Sequence, residues 1–125
     1  MAFADPQSVT INAVANSLPR TGLGMGSGVF TKDDGLVVLG ISTRGGNSAG
    51  PKRRQTRARL DHSKVGADPF NGSLNAKYSM SISIVLDTPP VGYTVAEQKQ
   101  VVDGFLAWAT ASSGANITRL LGGEV

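Results

Sequence analysis

The chain has no cysteine and a single histidine among its 125 residues. Disulfides and thiol chemistry are therefore excluded, as are metal centres that need two or three imidazoles. No apolar run approaches the ~20 residues that cross a bilayer. The start, Met-Ala-Phe-Ala-Asp-Pro-Gln-Ser, has neither the basic beginning nor the apolar centre of a signal peptide. No internal repeat is visible. A convergent acid, base and nucleophile are missing too. Asp61-His62-Ser63 has the residue types of a hydrolytic triad, but neighbours on a strand point to opposite faces and cannot share one proton relay. The sequence therefore predicts no enzyme: no catalytic residue, no metal, no cofactor and no small-molecule substrate.

What is present is a lopsided charge. The net charge is only +3. Residues 44–64 hold seven basic side chains (Arg44, Lys52, Arg53, Arg54, Arg57, Arg59, Lys64) against Asp61 alone, a local +6. The remaining five bases and eight acids leave the rest of the chain at −3. A basic patch on a mildly acidic background is the footprint of a polyanion partner.

Within that patch lies Lys52-Arg-Arg-Gln-Thr-Arg-Ala-Arg-Leu60. Read as a strand, it sends Arg53, Gln55, Arg57 and Arg59 to one face and Thr56, Ala58 and Leu60 to the other. One side is a row of planar cations shaped for phosphate; the other is small and apolar. A helix would leave Leu60 without an apolar stripe. A solvated edge strand, charged to discourage aggregation, is the competing account of the same row.

Taken in order, residues 8–15 predict a strand, Asn16-Ser17 a turn, and Leu18–Thr21 a short second strand with Pro19 at an edge. The glycines of Gly22-Leu-Gly-Met-Gly-Ser-Gly28 match neither a dinucleotide fingerprint nor a phosphate loop and predict flexible or close-packed backbone. Val29–Lys32 is a short strand closed by Asp33-Asp34-Gly35. Leu36–Arg44 is the clearest inner strand, with Val37, Leu39, Ile41 and Thr43 on one face and Val38, Gly40, Ser42 and Arg44 on the other. Residues 45–51 form a loop. His62 is expected at a strand end on the Leu60 side, before a projecting loop at about 65–74 that holds Asp68, Pro69, Phe70 and Asn71. Lys77–Leu86 alternates cleanly: Tyr78, Met80, Ile82, Ile84 and Leu86 against Lys77, Ser79, Ser81, Ser83 and Val85. Asp87-Thr-Pro-Pro90 ends that strand. Thr94-Val-Ala-Glu97 is a capping box opening a helix with Val95, Val102, Phe105, Leu106 and Ala109 at helical spacing, widened by Val101 and Trp108. Ser112-Ser113-Gly114 breaks it, and a second short helix at about 116–121 carries Ile117, Leu120 and Leu121.

This order predicts an α+β domain over residues 1–125: an N-terminal hairpin within 1–22, an antiparallel sheet of about five strands over 28–87, and two C-terminal helices over 94–121. One sheet face is apolar and needs cover; the other is basic and hydroxylated. The helices, the expected cover, are too short to hide such a sheet from one chain, which predicts a two-fold dimer with each subunit's helices laid over joined sheets. Tyr78, Met80, Ile82, Val102, Phe105, Leu106, Ile117 and Leu120 would then meet at the dimer interface.

The succession Leu39-Gly-Ile-Ser-Thr-Arg44, Arg53-Arg-Gln-Thr-Arg-Ala-Arg-Leu-Asp61, a projecting loop, Lys77-Tyr-Ser-Met-Ser-Ile-Ser-Ile-Val-Leu86 and then helices resembles the coat protein of single-stranded RNA bacteriophages (leviviruses) across essentially the whole chain. The resemblance implies an interlocked homodimer that assembles into an icosahedral shell, with the loop at Asp68, Pro69, Phe70 and Asn71 between dimers. It also implies an inner sheet face that binds genomic single-stranded RNA and, in many members, a hairpin that represses replicase translation. By position the RNA-facing set is Gly40, Ser42, Arg44, Arg53, Gln55, Arg57, Arg59, Lys77, Ser79 and Ser81, which the alternation had already placed together. The implied location is the virion, after assembly in the bacterial cytoplasm, with no membrane involved. Two departures refine this expectation. Lys77 stands where the best-known members stack a tyrosine on a base, which favours phosphate contact over base stacking. Without cysteine, contacts around the shell's axes would be noncovalent. The alternative function is a dimeric β-sheet nucleic-acid regulator that builds no shell.

Overall fold

The computed structural model describes residues 3–45 and 53–125, so Lys52 and most of the loop expected at 45–51 lie outside the described residues. Two compact units form, Met1–Asp87 and Thr88–Val125. The first contains β1 (Gln7–Ile11), β2 (Val14–Leu18), β3 (Arg20–Gly24), β4 (Ser27–Thr31), β5 (Val37–Arg44), β6 (Arg54–Ala67) and β7 (Asn75–Thr88, its last residue in the second unit). β1 and β2 pair as a hairpin; the other five make one sheet in the order β3-β4-β5-β6-β7.

The first hairpin turns earlier than expected. Its loop is Asn12-Ala13, with Ile11 paired to Val14 and φ of 50° and 63° at the two loop residues. Positive φ at both positions defines a type I′ turn, whose twist matches that of paired strands. Asn16, expected in the turn, is buried inside β2, and its amide donates to the carbonyls of Val9 at 3.1 Å and Val14 at 3.2 Å. Satisfied donors let a turn-forming residue occupy a strand. Pro19 then separates β2 from β3, dividing the predicted Leu18–Thr21 strand.

The glycine run forms the β3–β4 hairpin and is close-packed. At Gly26 φ is +72°, and an added Cβ would lie 2.9 Å from the Thr43 carbonyl oxygen. The Gly26 carbonyl accepts the Thr43 N–H at 2.7 Å, tying this hairpin to the end of β5. Asp33-Asp34-Gly35 turns β4 into β5 as expected, with Gly35 at φ +71°. The Asp34 carboxylate accepts the Leu36 N–H at 2.9 Å. That bond, helped by Lys32, holds the Asp34 carboxyl below its ordinary pKa. Its support for the turn is present above the unfolded-chain pKa and is lost as pH falls through the lowered value.

β6 runs through His62 to Ala67, so the connection to β7 is 68–74 rather than 65–74. His62 sits within the strand, opposite Val37, instead of at its end. The core of the unit is Leu18, Phe30 and Val37, with Val9, Ile11, Leu39, Ile41 and Leu60 packed against them. The N-terminal hairpin therefore covers part of the sheet's apolar face, a role the sequence reading had given to the helices alone. Arg20 secures the entering chain: its guanidinium lies 5.2 Å from the centre of the Phe30 ring and donates to the Phe3 carbonyl at 2.9 Å.

The second unit has one helical element, α1 (Val95–Leu121), with a kink where the sequence predicts two helices to part. Thr94 caps it: its hydroxyl accepts the Glu97 N–H and the Glu97 carboxylate accepts the Thr94 N–H, each at 3.2 Å. The expected break is present within the element. Ala111 is extended, and Ser112, Ser113 and Gly114 have φ of 53°, 57° and 82°.

Two substitutions test this account of the turns. Ala13→Gly removes a side chain from a left-handed position and should stabilise the chain by up to about 1 kcal/mol. Gly26→Ala should destabilise it by more than about 1 kcal/mol, since it adds a clash with Thr43 to the same backbone penalty. Urea unfolding midpoints read both.

Candidate nucleic-acid interface

β5 and β6 pair with Gly40 opposite Arg59, Ser42 opposite Arg57 and Arg44 opposite Gln55. Residues directly opposite share a face, so these six stand on one side. Leu39 opposite Leu60 and Ile41 opposite Ala58 occupy the other, toward the hairpin. A shallow concavity of about 280 Å³ is lined by Ser42, Arg44, Gln55, Arg57 and Val85. Val85 brings β7 into the same surface, and the period of two carries Ser83, Ser81, Ser79 and Lys77 with it. The sheet thus gathers the predicted set: Gly40, Ser42 and Arg44 from β5; Gln55, Arg57 and Arg59 from β6, with Arg53 just before it; Lys77, Ser79 and Ser81 from β7.

Small side chains make the surface usable. Gly40 has open space where a Cβ would stand, and the serines keep β7 low, so the arginines rise above a flat floor. Their charges are not equally available. Arg53 Nε meets Asp87 Oδ1 at 3.0 Å, and Arg59 Nε meets Asp61 Oδ1 at 3.0 Å. These pairs are about half exposed and add little to stability, but each cancels a positive charge. Among the described residues, the side chains of Arg44 and Arg57 make no ion pair or hydrogen bond. Guanidinium groups aimed over a hydroxyl- and amide-lined hollow are suited to bidentate phosphate contact. The sequence places Val85 on the serine face of β7 without including it in the RNA-facing set, and assigns neither Asp61 nor Asp87 to this surface. Asp61 was legible at two residues from Arg59, whereas Asp87 required the pairing of β6 with β7.

The predicted interface residues lie elsewhere. Tyr78, Met80 and Ile82 stand on the opposite side of β7 and are 40%, 58% and 57% exposed. β7 is also an edge of the sheet. In the second unit Phe105, Leu106, Ile117 and Leu120 are exposed and Val102 is half-buried; Phe105 stacks on Trp108 with ring centres 5.8 Å apart. In the 68–74 connection, Asp68 accepts the Phe70 N–H at 2.8 Å and Asn71 accepts the Ser73 N–H at 3.2 Å. These local bonds stiffen a tip that includes Pro69 and presents Phe70 almost fully to solvent.

The arrangement of an N-terminal hairpin, a five-stranded sheet and a C-terminal helix matches the fold of solved phage coat proteins and levi-like virus-like particles. The likeness spans most of the chain in each case. The virus-like particle of Beihai levi-like virus 21 superposes with a TM-score of 0.74 at 12% identity, covering 96% of this chain and 94% of its own. The virus-like particle of bacteriophage AVE019 gives 0.73 at 12% identity over 87% and 88%, and the bacteriophage EMS014 coat protein 0.68 at 13% over 91% and 80%. No family model matches the sequence, and no curated protein does.

Ser42→Glu places a carboxylate opposite Arg57 and should cancel one of the two arginine charges that lack a carboxylate partner. Earlier elution from a phosphocellulose column, with an unchanged circular dichroism spectrum, is the expected result.

Proposed function

We propose that this chain is a viral coat protein, residues 1–125 acting as one domain, whose dimers build an icosahedral shell around single-stranded RNA. The observation that carries this reading is the likeness in fold, nearly end to end, to chains of virus-like particles. The cationic sheet face supports it from the chain's own chemistry. RNA would lie across Gly40, Ser42, Arg44, Gln55, Arg57 and the serines of β7, held chiefly through phosphates, and its release of counterions would make affinity fall steeply with salt. Many such contacts along one RNA act together. Binding and assembly are the whole of the proposed chemistry; there is no turnover. Repression of translation through an RNA hairpin is a further use of the same face.

The exposed apolar residues support the dimer. β7 leaves an unpaired edge beside Tyr78, Met80, Ile82 and Ile84, and α1 displays Phe105, Leu106, Ile117 and Leu120. Two copies joined edge to edge at β7, each with its helical unit over the other's sheet, would bury these surfaces together, the segments on either side of the Ala111–Gly114 break serving as two helices. Phe70 at the rigid loop tip would anchor contacts between dimers. The protein would then reside in the virion.

Size-exclusion chromatography and electron microscopy of the purified protein test the reading. A megadalton particle containing RNA is expected. A stable dimer of about 26 kDa, twice the 12.9 kDa chain, with no particle under any assembly condition, would favour a nucleic-acid regulator instead. Phe105→Asp should abolish dimer and particle alike, because it buries a charge at an apolar contact. Normal particles from that variant would refute the proposed dimer.

A further inference from the structure

We propose that Asp61 and Asp87 act as attenuators of the cationic face, withholding Arg59 and Arg53 from RNA so that, of its four arginines, only Arg44 and Arg57 make phosphate contact. This inference rests on the RNA-binding reading above and divides the labour within that site.

The geometry separates the four arginines into two kinds. Arg53 and Arg59 each direct Nε to a carboxylate oxygen at 3.0 Å. Arg44 and Arg57 have no such partner among the described residues. They come from adjacent strands, one step off direct opposition, since Arg57 pairs with Ser42 and Arg44 with Gln55. Diagonal neighbours of this kind lie about 7–8 Å apart, so both guanidinium groups can reach one phosphodiester or two consecutive ones. Ser42 and Gln55 complete the hollow with neutral hydrogen-bonding groups, and Val85 gives it an apolar wall.

A phosphate approaching Arg59 meets a different situation. It must displace Asp61 or sit beside it, and a like charge at that distance cancels most of the attraction. The same holds for Arg53 and Asp87. The pairs are exposed, so they cost the protein little to keep or to lose; their effect falls on the charge offered to a ligand. Such attenuation limits nonspecific binding of every polyanion, and it sets the register of a strand by offering one strong foothold per subunit.

The test is the salt dependence of affinity of the full-length protein for a short unstructured oligouridylate. For single strands the slope of log affinity against log salt changes by about 0.7 for each phosphate contact. Arg57→Ser should flatten the slope by about 0.7 per subunit engaged, while Arg59→Ser changes it by less than half as much. Asp61→Asn should steepen it by about the same 0.7, and adding Arg59→Ser to Asp61→Asn should return it to the wild-type value. Asp87→Asn and Arg53→Ser give an independent second cycle. Circular dichroism melts identify any variant that loses its fold, and the other cycle then decides. Equal losses from Arg57→Ser and Arg59→Ser, with no gain from Asp61→Asn, would overturn the attenuation while leaving the RNA reading intact. Salt-independent or absent binding by the wild-type protein would overturn the RNA reading itself, and the attenuation with it.

Discussion

The structure depends on one constraint: successive side chains on a strand alternate, and β5, β6 and β7 keep that alternation in phase across the sheet. Because Ser42 stands opposite Arg57 and Leu39 opposite Leu60, the arginines of β6 lie beside Gly40, Ser42 and Arg44 while Ala58 and Leu60 lie beside Ile41 and Leu39. Two unlike surfaces result from a single layer of backbone. Had β6 slipped by one residue, its arginines would face Phe30 and the N-terminal hairpin, and Leu60 would face water. The core is what forbids that slip. Leu60 and Leu39 are packed against Leu18, Phe30 and Val37, so the position of the arginines is enforced from the far side of the sheet.

That core is small. Among the described residues only Leu18, Phe30 and Val37 are hydrophobic and fully buried, whereas a chain of this length has the means to bury much more. The deficit is concentrated. β7 and α1 hold long apolar side chains at 40–60% exposure, including Tyr78, Met80, Ile82, Trp108 and Leu120. Apolar side chains left this open to water on each unit are what contact with another chain would cover. The cationic face has no such deficit: its side chains are at home in water, and two of its arginines already have carboxylate partners.

The faces of the sheet were legible in the sequence because period-two alternation reports side directly. Arg53, Gln55, Arg57 and Arg59 were separated from Ala58 and Leu60 without any knowledge of neighbours. The capping box at Thr94 and Glu97 and the break at Ser112–Gly114 were equally local, and both are present. What escaped were features decided by tertiary contact. Asn16 looks like a turn residue until the Val9 carbonyl is available to accept its amide, which frees Asn12-Ala13 to form the turn. The Gly22–Gly28 run gives no sign of a hairpin, because the tie from Gly26 to Thr43 joins distant parts of the chain. β6 outran its predicted end by running through Gly66, a usual strand breaker, where an added Cβ would lie 3.4 Å from the Tyr78 ring. The cancellation of Arg53 by Asp87 required knowing which strands are neighbours.

The unpaired margin of β7 has one more consequence. Its two sides differ so sharply, serines on one and Met80, Ile82 and Ile84 on the other, that any strand added there is subject to a parity rule. Shifts by an even number of residues keep like surfaces together; odd shifts turn every side chain over and set grease against hydroxyl. Alignment along this margin is therefore quantised in steps of two residues, about 6.6 Å of strand, and mismatches between such steps are rejected by chemistry alone.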